Sequence, residues 1–266
     1  MAQTPNKSRL PTFLCVGAQK AGTTTLQILL GHHPKIYLPS RKELHFFSLH
    51  YNKGLNWYSN YFCDSADNNC IGEITPYYLF HPYAAERIHS SLGLTKIIIL
   101  LRDPVSRTLS QYRHSFRLGF EDLSLEEALT VESLRLEGAE LALIQPDGLH
   151  KKHQECSYLS RSLYRSQVER YWKYFGRDNV CILPSEYFFL NPWESLQRIY
   201  QFLQIEPQPK PDKLSLGVRA NAGKFDEQKE RLDTLTKLRV DLNDSYEFAQ
   251  KELGWDSSLS WSWSDQ

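Results

Sequence analysis

The stretch GAQKAGTT, residues 17–24, directly follows the apolar run FLCV and sets the interpretation of the whole chain. Gly17 and Gly22 have the spacing of a nucleotide-binding phosphate loop, which reads G-x-x-x-x-G-K-[ST]. In that motif a lysine follows the second glycine, whereas here Thr23 follows it and Lys20 lies inside the loop. The pattern therefore predicts a phosphate-binding loop with a displaced lysine.

The displaced lysine indicates the kind of ligand. A glycine-rich turn that enters a helix presents unpaired N–H groups and the positive end of the helix dipole, and Thr23, Thr24 and Thr25 add hydroxyl donors. A lysine after Gly22 would reach a β/γ-phosphate pair, whereas Lys20 at the crest points beyond a 5′-phosphate. This favours a donor with one phosphate and a transferable group beyond it. The alternative is a tight turn that only links a strand to a helix.

Around the loop, apolar runs alternate with helical patterns. Buried strands are predicted at residues 13–17, 96–101 and 179–184, and the run at 96–101 is continuous, as parallel strands covered on both faces are. Residues 71–75 are a candidate fourth strand. We predict one α/β domain with a central parallel sheet flanked by helices, in which ligands bind beyond the carboxyl ends of the strands. We expect a flexible N-terminus (1–11), a main domain (12–255) and a tryptophan-containing tail (256–266).

Several helix starts are marked by capping residues. Asp103 precedes Pro104 and a stripe made by Val105, Leu109, Tyr112 and Phe116. A capping box is predicted from Ser124 to Glu127, and a similar start at Asn191. A helix is also predicted from residue 164, ending at Gly176.

Composition excludes some classes of partner. Lys plus Arg and Asp plus Glu both total 31, so no net charge draws the chain to nucleic acid or an anionic membrane. Among five cysteines no C-x-x-C pair occurs, and no run resembles a signal peptide or a membrane span. We expect a soluble cytoplasmic protein with reduced thiols and no bound metal. The sequence carries no signal that specifies an oligomeric state.

Five segments, in order, resemble one enzyme family. TFLCVGAQKAGTTTL resembles the phosphosulfate loop of sulfotransferases that use 3′-phosphoadenosine 5′-phosphosulfate (PAPS). KELHFFSLHYNKGLNWYSNYF resembles the catalytic segment of the N- and 3-O-type heparan sulfate sulfotransferases. GEITPYYLF, KIIILLRDPVSRTLSQYRHSF and residues 162–205 continue the match, which covers about residues 12–225. The resemblance implies sulfuryl transfer from PAPS, the release of 3′-phosphoadenosine 5′-phosphate (PAP), and no metal.

The resemblance also implies which residues bind the donor. Lys20 matches the loop lysine that contacts the leaving phosphate. Arg102 and Ser110 match the pair that binds the 3′-phosphate, for which the arginine fork is well suited. The 5′-phosphate is expected on Ala21, Gly22, Thr23 and Thr24. A late loop, residues 217–225, is expected to close over the donor through Arg219, Asn221 and Lys224.

The catalytic roles fall on another segment. Glu43 matches the family's general base, which accepts the proton of the attacking alcohol. His45 is the residue that the 3-O-type enzymes carry, and His114 matches a histidine of the N-type enzymes. Ile74 stands where the heparan enzymes have a catalytic lysine, so a heparan-like anionic acceptor is not predicted.

Three functions remain open at this point. The first is sulfuryl transfer to a carbohydrate hydroxyl, or to a hydroxyacyl chain or other small alcohol. The second is a nucleoside-triphosphate-dependent kinase or NTPase in which Asp103 holds magnesium, although Asp103 also fits a helix cap. The third is a non-catalytic nucleotide-binding domain, which would have no use for Glu43.

Overall fold

A computed structural model describes residues 9–65, 70–209 and 232–255. Within these ranges a five-stranded sheet has the order β2-β3-β1-β4-β5, and every neighbouring pair is parallel. The strands are β1 (Phe13–Gly17), β2 (Ile36–Tyr37), β3 (Cys70–Ile74), β4 (Lys96–Leu101) and β5 (Val180–Pro184). The parallel α/β fold predicted from the sequence is confirmed.

The strand pattern follows burial. β1 and β3 are buried along their whole lengths, and so is β4 after its first residue, because neighbours and helices cover them. At the sheet edge, Cys181 and Ile182 of β5 are half-buried. β2 has two residues, too few for an apolar pattern, and its pairing of Ile36 with Cys70 makes it a strand. The sequence analysis therefore missed it.

Helices surround this sheet in the described ranges. They are α1 (Thr23–Gly31), α2 (Phe46–Leu49), α3 (Gly54–Ser59), α4 (Ala84–Leu92), α5 (Pro104–Arg117), α6 (Leu125–Thr130), α7 (Glu132–Arg135), α8 (Ala139–Leu143), α9 (Lys151–Glu155), α10 (Tyr164–Phe175), α11 (Ser185–Leu190), α12 (Pro192–Phe202), α13 (Leu232–Asp241) and α14 (Asn243–Glu252). Short 3₁₀ turns occur at Tyr51–Lys53, Asn60–Phe62, Pro76–Tyr78, Ser160–Ser162 and Arg177–Asn179.

Two of the predicted caps form and one does not. The Asp103 carboxylate accepts from the Ser106 N–H at 2.7 Å, and the Ser124–Glu127 capping box is complete. Asn191 makes no side-chain cap to α12. This residue also ends α11, where its N–H donates to the Tyr187 carbonyl, so its backbone conformation is set by the preceding helix.

The fifth helix is buried on more than its apolar stripe. Val105 and Leu109 are buried as expected, but Phe116, farther along the stripe, is 53% exposed. Arg107 and Gln111, outside the stripe, are almost fully buried. The Arg107 guanidinium donates to the Ser162 hydroxyl at 2.5 Å, so the segment before α10 covers the first turns of α5.

Parallel pairing brings three candidate segments to one edge. The 17–24 loop follows β1, Arg102 follows β4, and the Glu43 N–H donates to the carbonyl of Ile74 at the end of β3. Because β1 lies between β3 and β4, these carboxyl ends are adjacent. None of the described helices has the length and apolar character needed to cross a bilayer. All five cysteines are free thiols.

Candidate active site

The loop after β1 is held from three sides. The Ala18 N–H donates to the carbonyl of Leu100 on β4 at 2.6 Å. The Ser185 hydroxyl donates to the Ala21 carbonyl at 2.8 Å, and Arg102 donates to the Lys20 carbonyl at 3.2 Å. The loop is therefore fixed to the sheet before any ligand arrives, which lowers the entropic cost of binding.

The first turn of α1 is suited to an anion. Gly22 precedes this helix with φ 96°, and a Cβ there would lie 2.7 Å from Cζ of Phe189, so only glycine fits. No side chain caps the helix, and no acidic residue occupies its first turn. Thr23 is 4% exposed and Thr24 is half-buried. These uncapped N–H groups meet the requirement of the predicted anion site, which stays a prediction.

Lys20 lies at the crest of this loop in a cationic environment. Its backbone is left-handed, with φ 72°, and its side chain is half-buried. Burial, and then the charges of Arg117, Arg102 and Arg107, lower the pKa of Lys20 to about 8, while the Glu43 charge opposes them. Excess positive charge at this point favours an anionic ligand.

The residues after β4 are placed for two different purposes. Arg102 is half-buried beside the loop, and its carbonyl accepts from the Tyr164 hydroxyl at 2.7 Å. Ser110 is half-buried nearly two turns into α5. Asp103 has both carboxylate oxygens engaged, one by the Ser106 N–H and the other by the Tyr246 hydroxyl, each at 2.7 Å. These bonds favour the helix cap over a magnesium ligand.

Glu43 sits between two basic side chains. Oε1 of Glu43 lies 2.7 Å from Nζ of Lys42, and Oε2 lies 3.7 Å from Nε2 of His45. Burial would raise the pKa of Glu43, but the His45 contact and the Lys42 charge outweigh it and lower that pKa to about 2. The carboxylate is therefore ionised at any ordinary pH.

The buried carboxylate of Glu73 is linked by hydrogen bonds to the segment that carries His45. Glu73 on β3 is 1% exposed and accepts hydrogen bonds from the hydroxyls of Tyr58, Tyr78 and Thr75. Burial raises the pKa of Glu73, and these donors partly offset the increase. The Thr75 hydroxyl in turn accepts from the His45 N–H at 3.5 Å. The network thus ties the segment that carries His45 to the end of β3.

Backbone strain independently marks the same residues. Within the described ranges, four non-glycine residues have positive φ: Lys20, Glu43, His45 and Gln204. Three of them are candidate catalytic residues. Such conformations are costly and cluster at functional sites, where the surrounding structure enforces them.

His114 lies near Lys20 and Glu43. Burial lowers the pKa of His114, followed by the positive charges of Lys20 and Arg117, while the Glu43 charge opposes the shift. Nη2 of Arg117 lies 3.2 Å from Nδ1 of His114 and donates to it. His114 therefore lies within electrostatic range of both the loop lysine and the candidate base, as a cleft residue would.

The structure adds residues that the sequence analysis did not assign. Lys42, Arg117 and Glu73 all contact or influence the candidate site. A signal existed for two of them: Lys42 adjoins the predicted base, and Arg117 lies three residues after His114 on one helix face. Arg219, Asn221 and Lys224 lie outside the described residues.

Comparisons with known proteins show which family this chain resembles. A model of the sulfotransferase domain family matches residues 10–231. The chain is 40% identical over 138 residues to membrane-associated sulfotransferase kil1 of Dictyostelium discoideum, covering 47% of this chain and 29% of kil1. It is 28% identical over 206 residues to human heparan sulfate glucosamine 3-O-sulfotransferase 6, covering 77% of this chain and 56% of that protein. The chain thus spans less than a third of kil1 and little more than half of the human enzyme.

A solved sulfotransferase structure has a similar fold over 95% of this chain. The sulfotransferase from Alicyclobacillus acidocaldarius superposes with a TM-score of 0.75 and 27% sequence identity, covering 95% of this chain and 99% of that one. The resemblance inferred from five ordered motifs is therefore confirmed. Since the family match extends over most of its length, this chain belongs to the sulfotransferase domain family.

Proposed function

We propose that the protein transfers the sulfuryl group of PAPS to an acceptor hydroxyl and releases PAP. One observation carries this proposal: the uncapped phosphate loop with Lys20 lies within electrostatic range of the ionised Glu43, at the ends of adjacent strands. A donor cradle and a proton acceptor thus face one cleft. Membership of the sulfotransferase family supports the same reaction.

Donor binding is assigned to the fixed loop and to the end of β4. In this proposal the N–H groups from Ala21 to Thr24 hold the 5′-phosphate, and Lys20 contacts the oxygen that bridges it to sulfur. Arg102 and Ser110 hold the 3′-phosphate, for which the half-buried guanidinium offers two parallel donors. The sequence adds Arg219, Asn221 and Lys224 as the closing loop.

The chemistry uses the two sides of the cleft. Glu43 accepts the proton of the acceptor hydroxyl while that oxygen forms a bond to sulfur. Lys20 stabilises the negative charge that develops on the leaving phosphate as the old S–O bond breaks. His45 and His114 orient the acceptor beside Glu43.

For the acceptor we propose a carbohydrate hydroxyl, with a hydroxyacyl chain or other small alcohol as the runner-up. The 3-O-sulfotransferase relative supports the carbohydrate. Ile74 is 2% exposed and packs in the core, so it places no charge in the cleft where the heparan enzymes have a lysine. This absence favours an acceptor of lower charge than heparan sulfate.

The proposal also covers the cellular location of the protein and its domain organisation. We propose a cytoplasmic protein, in keeping with five free thiols. In this proposal the catalytic domain spans residues 12–255. No nucleic acid or membrane partner is proposed, since the net formal charge is zero.

Labelled PAPS incubated with a panel of sugars, hydroxyacyl thioesters and simple alcohols tests the function. We expect labelled product from at least one sugar without added metal. Hydrolysis of ATP with magnesium, and no sulfated product from any acceptor, would support the NTPase reading and overturn the proposal.

Donor binding provides a test that needs no acceptor. PAP should bind without magnesium, and Arg102→Ala should weaken the binding by about 2 kcal/mol, roughly 30-fold, because a charge-assisted bond to the 3′-phosphate is lost. Isothermal titration calorimetry of the two proteins measures the difference.

Arg177→Ala is the matched control. This arginine precedes β5 and so lies at the amino ends of the parallel strands, whereas Arg102 follows the carboxyl end of β4. Its loss should leave PAP affinity unchanged. If folded Arg102→Ala binds PAP as tightly as the wild type does, the 3′-phosphate lies elsewhere.

Lys42 should control the protonation of Glu43. In Lys42→Met the pKa of Glu43 should rise, because a charge and a hydrogen bond that lower it are gone while its burial remains. The activity of this variant, measured as kcat/KM against pH, should therefore fall at a higher pH during acidification than wild-type activity does. Arg41→Met, which removes the exposed neighbouring cation, should keep the wild-type profile. Coincident profiles of Lys42→Met and wild type would contradict this role.

A further inference from the structure

Two arginines next to the donor loop are buried without an acidic hydrogen-bond partner among the described residues. Arg107 is 0% exposed and Arg161 is 3% exposed. Arg107 donates to the Ser162 hydroxyl and the Tyr158 carbonyl. Every hydrogen-bond partner that the structure gives to either guanidinium is a neutral group.

The nearest carboxylate does not neutralise them. The charge of Glu132 acts on both arginines, yet its oxygens accept from the Leu159 and Ser160 N–H groups and the Ser160 hydroxyl. Burial lowers the pKa of each guanidinium to about 10, so both remain charged at neutral pH. A buried charge without a direct counter-charge is strongly destabilising.

A small cavity lies between these two side chains. It has a volume of about 10 Å³, the space that one water molecule or one small ion takes. Arg107, Arg161 and Gln19 line it, and its apolar wall is formed by Pro76, Leu79 and Phe80.

One donor at this cavity has no partner among the described residues, and an amide side chain lies beside it. Nη1 of Arg107 is buried and has no hydrogen-bond partner in the described chain. The Gln19 amide oxygen accepts from Arg161, which leaves the amide NH₂ as the other polar end of that side chain. A guanidinium, an amide donor and an apolar wall suit a weakly hydrated anion.

We propose that this cavity binds one small monovalent anion, of the size of chloride, between Arg107, Arg161 and Gln19. A water molecule would satisfy the orphaned N–H groups but would leave both charges uncompensated. A volume of about 10 Å³ favours a chloride-sized ion over the larger phosphate and sulfate. None of the lining residues belongs to the first turn of α1, and the proposal does not depend on the proposed reaction.

Crystals of the wild-type protein grown with sodium bromide test the occupant directly. We expect an anomalous peak in the cavity within hydrogen-bond distance of Nη1 of Arg107 and the Gln19 amide nitrogen. A water molecule in the cavity, with no anomalous signal there at high bromide concentration, would overturn the proposal.

Thermal unfolding tests the affinity. At constant ionic strength, Tm should rise saturably by about 3 °C or more when chloride or bromide replaces gluconate, because the anion binds the folded state. The rise should be absent in Arg107→Met and should persist in Lys173→Met, which removes an exposed charge on α10. An equal rise in Arg107→Met would place the anion elsewhere. If Arg107→Met does not fold, the bromide crystals decide the question.

Discussion

Glu43→Gln should lower turnover by about 10²–10⁴-fold, the usual contribution of a positioned base, while leaving PAP affinity close to that of the wild type. The amide keeps the size of the side chain but cannot accept the acceptor's proton. Steady-state kinetics with an acceptor that the wild type sulfates measures turnover, and calorimetry with PAP measures donor-site affinity. An equal loss of PAP affinity would point to a folding or donor-site defect and not to a missing base.

His45→Gln is the matched comparison, because His45 is the rival base two residues away and N-type relatives carry glutamine there. If Glu43 is the base, this variant should retain much of the activity. An inactive His45→Gln beside a nearly normal Glu43→Gln would reverse the roles. Near-normal turnover in both would mean that the acceptor is not activated at this segment.

The lowered pKa of Glu43 changes the expected pH profile. A base with an ordinary carboxyl pKa of about 4.3 would lose its activity on acidification as it protonates. With a folded-state pKa of about 2, this carboxylate stays ionised until the pH approaches that value. Because kcat/KM reports the pKa values of the free enzyme, its pH profile should show no acidic limb from Glu43 between about pH 4 and 7. A limb in that range which survives in Glu43→Gln belongs to another group.

Lys20→Met should lower kcat by about 10²–10³-fold, as the loss of a donor that stabilises developing charge does, with a much smaller change in the PAPS dissociation constant. Negative charge accumulates on the leaving phosphate only as the S–O bond breaks, so Lys20 acts mainly in the transition state. Lys173→Met controls for the loss of one lysine charge. A variant that loses affinity and keeps kcat would make Lys20 a ground-state phosphate ligand.

Lys20 should also produce an alkaline limb. Burial and the neighbouring arginines lower its pKa to about 8 in the free protein, so its charge is lost as the pH rises through that value. We expect kcat/KM to fall above about pH 8 in the wild type, since a neutral lysine stabilises the leaving group less. Lys20→Arg stays charged and should lack this limb, whatever its absolute rate.

Local pattern was enough for the main architecture. β1, and β4 after Lys96, are continuous apolar runs, as strands covered on both faces require, whereas β3 departs from this pattern at Glu73. The anion site was also readable, because a glycine before a helix without an acidic first turn is a local feature. The sequence pattern did not reveal β2, because its two residues form a strand only through pairing with β3. It also wrongly predicted a side-chain cap at Asn191, whose backbone is set by the end of α11.

Tertiary packing decided everything that depends on distance between segments. The ordered motifs placed Lys20, Glu43 and Arg102 in one family site, but not the hydroxyl network that holds the segment around Glu43 to Glu73. Nor does spacing reveal that Arg107 is enclosed beside Arg161, because burial of a charge depends on which surfaces cover it. The sequence by itself thus determined the fold class and the chemical types in the cleft, through periodicity and local backbone geometry. Only the three-dimensional structure decided their protonation and partners, since desolvation and Coulomb interactions act through space and not along the chain.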